Sequence, residues 1–292
     1  MIHKRRKKWV RILVWSAILL LAFLIYYSRF DLPLEFAVED NFLTFTIGEG
    51  DSSIGKGPSG NIRIQISSDQ QILYLTDQIR KVVTRINPSG EIEASFVIDG
   101  DMVGFDTQNQ MYIFNDSTQT IYKTQPEPDS IQFPKPGKIL LHPIKGIYWT
   151  GYPKEDQSLY LSLPSDNNKL KMGEWKPVPT INAIGNNRLL YFVTPHDIMV
   201  YDTEENLLWS RHYRKNLGQL IGVSSEGIIL FRESPERVIF FQPELNKWKI
   251  IAIPGDCALP PDDALYCWST KNGPLSIRRY QFHLKSPGLD VP

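Results

Sequence analysis

Short apolar runs separated by turn residues recur along the chain from residue 61 onward. In six of these runs an aromatic or aliphatic residue marks an equivalent position, and the markers follow one another at intervals of 36 to 43 residues. Each unit holds a first β-type run, a turn, the run with the marker and a third run, which ends at a proline in four of the six units. Repetition of strands at about 40 residues predicts a β-propeller. The markers are Tyr74, Tyr112, Tyr148, Tyr191, Ile229 and Tyr266.

The repeat predicts an all-β protein with six blades, and seven blades are the alternative. The last unit lacks a fourth strand, because only KSPGLDVP follows Leu284. The run around Phe42 to Ile47 can supply it, which would pair the two chain ends within one blade and remove an exposed edge. Seven blades would instead place Leu34 to Ile47 in an extra blade. The segment 48–60 is rich in Gly and Ser and predicts a flexible loop.

The N-terminal segment has a different pattern, a continuous apolar stretch of 19 residues from Trp9 to Tyr27 that only Arg11 and Ser16 interrupt. About 20 helical residues cross a bilayer, so the stretch predicts a transmembrane helix. No Ala-x-Ala pattern follows it, which favours an uncleaved signal-anchor over a cleaved signal peptide. The residues expected to form this anchor include Trp9, Trp15, Leu20, Leu24 and Tyr27.

Charge orients this helix, because residues 1–30 hold seven Lys or Arg and no Asp or Glu. Basic flanks stay in the cytoplasm, so we expect the C-terminal domain outside a cell membrane, in a bacterial envelope. The predicted organisation is a cytoplasmic tail over 1–8, a transmembrane helix over 9–27, a linker with the closing strand over 28–60, and the propeller over 61–292.

Beyond residue 30 the chain has 25 basic and 32 acidic residues, a formal charge of −7. This acidity argues against a nucleic-acid partner. One short basic run stands out, Arg211 to Lys215 (RHYRK).

Two kinds of propeller repeat are similar to individual units. Leu73 to Ile92 and Met111 to Lys123 resemble NHL-type repeats, in which a strand, an Asp, a polar turn and a second strand follow one another. Val200 to Ser210 resembles a blade of the quinoprotein-type (PQQ-like) propellers, but Asn206 stands where that turn usually has Gly. The resemblance implies a propeller that most often serves as a binding or scaffold module, and we expect no cofactor.

Candidate catalytic chemistry is sparse in the sequence. The five histidines, which include His142 in a first strand, show no metal-ligand spacing, so we expect no metal site. The recurring aspartates lack the dense loop that calcium requires and are expected to accept hydrogen bonds in turns. They are Asp77, Asp106, Asp116, Asp202 and Asp256.

The only two cysteines, Cys257 and Cys267, flank a turn at Pro260 to Asp263. Two antiparallel strands joined by this turn would carry the cysteines almost opposite each other. Outside the membrane thiols are exposed to oxidants, so a disulfide is predicted. Two free, buried thiols are the alternative.

These observations favour a membrane-tethered, non-catalytic propeller that holds a protein, peptide or glycan partner outside the membrane. The alternative is a lyase or hydrolase with a metal-assisted site near His142 in the propeller channel. A rigid ring that presents loops at its rims suits the first function.

Overall fold

The structure is a computed structural model, and it describes residues 14–22, 32–48, 53–58, 61–69, 72–106, 110–123, 129–132, 137–142, 146–151, 158–162, 181–271 and 273–285. Apart from a helical segment at 14–22, the regular elements in these ranges are β-strands. The strands are β1 Leu34–Ile47, β2 Ser53–Ile54, β3 Ile64–Ser68, β4 Leu73–Asp77, β5 Val82–Ile86, β6 Ile92–Val97, β7 Asp101–Phe105, β8 Met111–Asn115, β9 Thr120–Lys123, β10 Asp129–Gln132, β11 Gly137–His142, β12 Gly146–Gly151, β13 Ser158–Ser162, β14 Ala183–Ile184, β15 Leu190–Val193, β16 Asp197–Tyr201, β17 Leu207–His212, β18 Gln219–Val223, β19 Ile229–Ser234, β20 Arg237–Gln242, β21 Lys247–Ala252, β22 Asp256–Ala258, β23 Leu265–Ser269 and β24 Leu275–Leu284.

These strands form antiparallel sheets that follow one another along the chain. The first sheet is β3–β6, the second β7–β10, the fourth β14–β17 and the fifth β18–β21, and each has four strands. The third sheet, β11–β13, has three strands in the described residues. The closing sheet has five strands in the order β2-β1-β24-β23-β22, so it joins the two ends of the chain.

The first strands of neighbouring sheets contact each other in a closed circuit. The contacts run β3 to β7, β11, β14, β18 and β22, and β22 returns to β3. Sheets arranged in a ring with their first strands at the centre are a β-propeller. The predicted all-β propeller fold is therefore confirmed.

The closing sheet forms as the sequence predicts, and its strand from the N-terminal end is longer than expected. β1 pairs with β24 in an antiparallel register that runs from Leu34 opposite Leu284 to Phe45 opposite Leu275, with an irregularity between Glu39 and Leu43. The seven-blade alternative is wrong, because it required residues 34–47 to lie in an extra blade.

The prediction of a flexible loop over 48–60 is wrong for its central part. Ser53 and Ile54 form β2, which pairs in parallel with the end of β1. The Asp77 carboxylate accepts a hydrogen bond from the Gly55 amide at 2.6 Å, and Arg80 donates to the Ser53 carbonyl at 2.8 Å. The Gly and Ser content of this segment favours flexibility, but it carries no information about its partners Asp77, at the end of β4, and Arg80, in the turn that follows.

The core consists of apolar layers between adjacent sheets. One layer between the fourth and fifth sheets includes Val200, Phe231 and Phe241, with Trp209 and Trp248 packed against it. Another layer lies between the fifth and closing sheets and includes Phe240, Leu265 and Tyr280. Large rings fill these wedge-shaped spaces, as expected for a propeller.

Glycine precedes the first strand of several sheets. Gly218 lies just before β18 and Gly255 just before β22, with φ of +95° and +93°. A Cβ at either position would press against a backbone carbonyl of the second strand, that of Arg232 or Trp268. Only glycine combines this conformation with such a close approach of two strands.

The helical segment at 14–22 lies inside the predicted anchor. Its side chains include Trp15 and Leu20, which are exposed, whereas Trp9, Leu24 and Tyr27 lie outside the described residues. Within the described ranges, no helix is long and apolar enough to cross a membrane.

Candidate functional site

Four of the six marker residues hold the turn between the first two strands of their sheets through a hydrogen bond of the tyrosine hydroxyl. The Tyr74 hydroxyl donates to Asp69 Oδ2 at 3.1 Å, and the same carboxylate accepts from the Ile72 amide at 2.8 Å. Burial and the neighbouring Asp69 raise the pKa of Tyr74 to about 12, so its hydroxyl stays a donor at neutral pH. The equivalent bonds are Tyr112 to Asp106 at 3.1 Å, Tyr266 to Asp262 at 2.7 Å and Asn187 to Tyr191 at 2.7 Å.

A cleft of about 840 Å³ lies where the first sheet meets the closing sheet. We call it the closure cleft. β1, β23 and β24 supply one side of it, and the turn between β5 and β6 lies on the other. Its lining includes Phe42, Asn87, Glu93, Asp262, Arg279 and Gln281.

Arg279 is the central cation of the closure cleft. Its guanidinium lies 4.5 Å from the centre of the Phe42 ring and forms an ion pair with Glu39 at 2.6 Å. A further hydrogen bond reaches the Pro88 carbonyl at 3.4 Å. The Arg279 Nε atom is buried and has no hydrogen-bond partner among the described residues. Burial raises the pKa of Tyr266, and the nearby Arg279 guanidinium opposes this shift, so Arg279 lies beside this hydroxyl as well as over the Phe42 ring.

The acidic groups of the closure cleft already have partners. Burial raises the pKa of Asp262, while the hydrogen bond from Tyr266 opposes this shift. The Glu93 carboxylate pairs with Arg85 at 3.0 Å. Because the Asp262–Tyr266 pair repeats the arrangement of Asp69 and Asp106, it fastens a turn here as it does in the other sheets. These acidic groups therefore stabilise the protein itself, and Arg279 is the charged group of the cleft that we consider for recognition of a partner.

A second cleft of about 840 Å³ lies near the ring centre, between the fourth and fifth sheets. Its walls combine apolar and amide-bearing side chains, with Ile184, Leu220 and Leu259 beside Asn182. Arg232 also borders it, and donates to the Ile253 carbonyl at 2.7 Å and contacts Cys257 Sγ. Burial lowers the pKa of this guanidinium. Its donors are directed at groups of the protein, which fits a structural role for Arg232.

His142 does not face a channel as the alternative function required. It is fully buried at the end of β11, and its Nε2 lies 3.1 Å from the Arg188 carbonyl oxygen. It lines neither of the two clefts. Among the described residues, no group of three or more His, Cys, Asp or Glu side chains could hold a metal ion.

Cys257 and Cys267 are joined by a disulfide in the structure. They lie directly opposite each other in β22 and β23, with Cα atoms 4.1 Å apart. The turn between these strands includes a hydrogen bond from the Asp263 amide to the Pro260 carbonyl at 3.1 Å. This is the arrangement that the sequence predicts.

The predicted role of the turn aspartates is confirmed for several of them. Asp77 accepts from the Ile79 and Arg80 amides, and Asp202 accepts from the Glu204 and Asn206 amides. Asp106 accepts from the Gln110 amide at 3.0 Å.

Sequence spacing missed a histidine pair at the edge of the fourth sheet. His212 Nδ1 lies 2.8 Å from Asp197 Oδ1, and the centre of the His212 ring lies 6.2 Å from that of His196. The bond with His212 lowers the pKa of Asp197. These residues meet because β16 and β17 place Asp197 opposite His212. Only the strand register, which the sequence did not reveal, shows this proximity.

Comparisons with known proteins extend to the fold alone. No family model matches the sequence, and a search of characterised proteins found no match. A solved structure of a streptogramin B lyase is similar at a TM-score of 0.50 with 15% identity, over 85% of this chain and 98% of the lyase chain. A luciferin-regenerating enzyme is similar at a TM-score of 0.50 with 15% identity, over 88% of this chain and 96% of that one. Both are propellers, and their likeness supports the propeller fold.

Proposed function

We propose that this protein is a membrane-tethered, non-catalytic propeller that binds a protein, peptide or glycan partner outside the membrane through the closure cleft. The observation that carries the proposal is Arg279, which lies over Phe42 in the closure cleft with 21% of its side chain exposed. A partner that offers an oxygen acceptor would pair with the exposed part of this guanidinium, and a hydrogen bond to a charged group is stronger than one between neutral groups. The acidic lining around it would exclude strongly anionic partners.

The enzyme alternative has less support. Its proposed residue, His142, is fully buried and bonded to a backbone carbonyl. The similarity to a lyase and to a luciferin-regenerating enzyme lies in the fold, and a propeller supports many functions.

Site-specific photocrosslinking tests the binding site. A photoreactive amino acid replaces Gln281, which lines the closure cleft, and a control replaces the exposed Ser117 in the turn after β8. In native membranes, ultraviolet light should give a discrete adduct at position 281 and none at 117. Arg279→Gln should lower the yield while the melting temperature shows that the chain is folded. Adducts of equal yield at both positions, or an Arg279→Gln yield equal to the parent's, would contradict the proposal.

The tether is a signal-anchor over residues 9–27, with the N-terminus in the cytoplasm. It rests on the apolar length of this stretch and on the basic residues before it. Protease added to right-side-out spheroplasts should digest the propeller, and alkaline carbonate should leave the chain in the membrane. A propeller that stays protected until the membrane is broken would overturn the external placement.

We infer further that the ring has six blades and that the third sheet, with its three described strands, is one of them. Five sheets have four or five strands in the described residues, and β11 of the third sheet contacts both β7 and β14 at the ring centre. The fourth run of this unit, LKMGEW at 170–175, lies outside the described residues. The repeats remain similar to NHL-type and quinoprotein-type units. A crystal structure of the propeller would count the blades directly.

A further inference from the structure

The chain enters the propeller at the fifth sheet, beside the basic run of the sequence. Leu32 is fully buried, and its amide donates to the Trp248 carbonyl at 3.3 Å. The Lys249 ammonium donates to the Leu34 carbonyl at 3.1 Å. Both partners belong to β21, so the first described propeller residues are fixed to the outer strand of the fifth sheet.

Little chain separates this entry point from the proposed transmembrane helix. Only residues 28–31 lie between Tyr27 and Leu32. Even fully extended, the five Cα-to-Cα steps span at most about 18 Å. A chain anchored at residues 9–27 therefore keeps Trp248 and its neighbours close to the bilayer surface.

The surface around the entry point is basic. The Arg211 guanidinium donates to Asn246 Oδ1 at 2.7 Å, and the Tyr213 ring packs edge-on against Trp248 at 5.6 Å. These contacts join the end of β17 to the start of β21. The cations of this entry surface are Arg211, Arg214, Lys215, Lys247 and Lys249.

Among the described residues, the five cations of the entry surface are bordered by three acidic groups: Asp197, Glu233 and the exposed Glu244. Lys215 pairs with Glu233 at 2.8 Å, and Asp197 bonds to His212 rather than to an arginine. Arg211 and Arg214 are exposed. The local excess of cations is notable because the chain beyond residue 30 has a formal charge of −7.

Exposed aliphatic side chains accompany these cations on the same two outer strands and on the turn between β20 and β21. A surface that combines cations with exposed aliphatic groups is typical of proteins that lie on anionic bilayers, where headgroups pair with the cations and the apolar groups enter the interface. The exposed fractions are 54% for Leu207, 52% for Leu208, 50% for Leu245 and 41% for Ile250.

We propose that the entry surface rests on the anionic phospholipid headgroups of the membrane that holds the anchor. This proposal rests on the membrane tether proposed above. The contact fixes the orientation of the propeller on the bilayer and so determines which of its clefts face away from the lipid.

A fluorescent label on the full-length chain tests this contact. The variant Ser210→Cys, on β17, carries the polarity-sensitive fluorophore NBD. The parent chain, treated with the same reagent, gives the background labelling of its two disulfide-bonded cysteines. The chain is reconstituted into vesicles of phosphatidylcholine alone or with phosphatidylglycerol. NBD emission should rise and shift to the blue in the anionic vesicles, and the change should shrink as salt screens the charges. Ser117→Cys, in the turn after β8 of the second sheet, should show no difference between the vesicles.

Charge variants distinguish the effect of the entry-surface cations from the effect of the overall net charge. Removing three of its cations should abolish the lipid-dependent change, whereas removing three elsewhere should preserve it. Equal emission in both vesicles, or equal effects of the two variants, would overturn the proposal. The first variant is Arg211→Gln, Arg214→Gln and Lys215→Gln, and the matched control is Lys81→Gln, Lys271→Gln and Arg278→Gln.

The tether is tested on the same vesicles. If alkaline carbonate extracts the parent chain, the proposed anchor has failed, and this inference fails with it. If the chain resists extraction but its emission is the same in both vesicles, only the entry surface has failed.

Discussion

The fifth sheet and the closing sheet have the same place in the ring but are built in different ways. The fifth sheet uses four consecutive strands, β18 to β21, and its Phe231, Phe240 and Phe241 side chains are completely buried. The closing sheet pairs Leu34 with Leu284 across nearly the whole chain. It also has the disulfide between Cys257 and Cys267. Local packing holds the fifth sheet together, whereas the closing sheet adds specific cross-links.

This difference follows from chain entropy. Hairpins between consecutive strands close short loops, whereas pairing β1 with β24 closes a loop of most of the chain, and the cost of closure grows with loop length. Ion pairs follow this long-range seam, as Arg279 with Glu39 at 2.6 Å and Arg278 with Asp40 at 3.1 Å. The closing sheet is therefore where changes should affect the whole ring.

Removing the closing strand should have the largest effect. A chain that begins at Asn61 loses β1 and β2 and with them the buried Phe42, Phe45 and Ile54. Each large side chain lost from a core costs about 2–5 kcal/mol, so the sum is on the order of the whole stability of a domain. We expect aggregation or loss of the cooperative transition, measured by scanning calorimetry.

The control for this truncation is a chain that begins at Asp31, which lacks the proposed anchor but keeps β1. It should melt as one cooperative unit. Equal melting temperatures for the two truncated chains would show that the ring closes without its N-terminal strand.

A core substitution in the fifth sheet should have the next largest effect. Phe241 is completely buried and stacks on Trp248 at 3.9 Å between ring centres. Phe241→Ala should lower the free energy of unfolding by about 3–5 kcal/mol, measured in urea. Phe96→Ala on the outer strand β6, where the ring is 38% exposed, is the matched control and should cost much less. Similar losses would mean that the layer between the fourth and fifth sheets is poorly packed.

The disulfide should contribute less than the core. Cys257 and Cys267 are 10 residues apart in the sequence, and closing so short a loop restricts the unfolded chain by about 2–3 kcal/mol. Replacing both with Ala should lower the free energy of unfolding, measured in urea, by at least this amount, because Arg232 of the fifth sheet also loses its contact with Cys257 Sγ. Mass spectrometry of the non-reduced, alkylated protein provides the direct measurement. Two alkylated cysteines in natively expressed protein would exclude the bond.

The sequence predicted the parts of this fold that depend on local pattern. The repeat markers fixed the second strand of every unit, and the missing strand after Leu284 predicted closure by the N-terminal run. The turn at Pro260 to Asp263 predicted the cysteine pair. Alternation of apolar residues and turn signals suffices for these features, because each depends on residues close in sequence.

The site could not be predicted in the same way. Arg279 and Phe42 meet only after the ring has closed, and their sequence positions give no sign of this. His142 lies in a first strand as expected, yet its burial depends on the turn that contains Arg188 in the next sheet. The glycines before the first strands, such as Gly218, mark where two strands approach closely, but the alternation of apolar and polar residues carries no trace of this approach.

The smallest predicted effect compares the marker tyrosines of two sheets. Tyr112→Phe removes one hydrogen bond to Asp106 and should cost about 0.5–1.5 kcal/mol. Tyr266→Phe leaves the half-buried Asp262 without this bond and should cost about 1–3 kcal/mol at neutral pH. The fifth sheet has the buried Ile229 at this position, so no such hydroxyl bond is available there.

The pH dependence of the Tyr266→Phe effect gives the sharper test. Burial already raises the folded-state pKa of Asp262 above the usual 3.8, so the folded chain holds this proton more tightly than the unfolded chain does. The contribution of Asp262 to stability is therefore greatest below pH 3.8 and is lost as pH rises through the raised pKa. Loss of the Tyr266 hydroxyl, which favours the ionised carboxylate, raises this pKa further. Urea unfolding should show a larger cost of Tyr266→Phe at neutral pH than in acid, and an equal cost at both would mean that Asp262 reaches solvent.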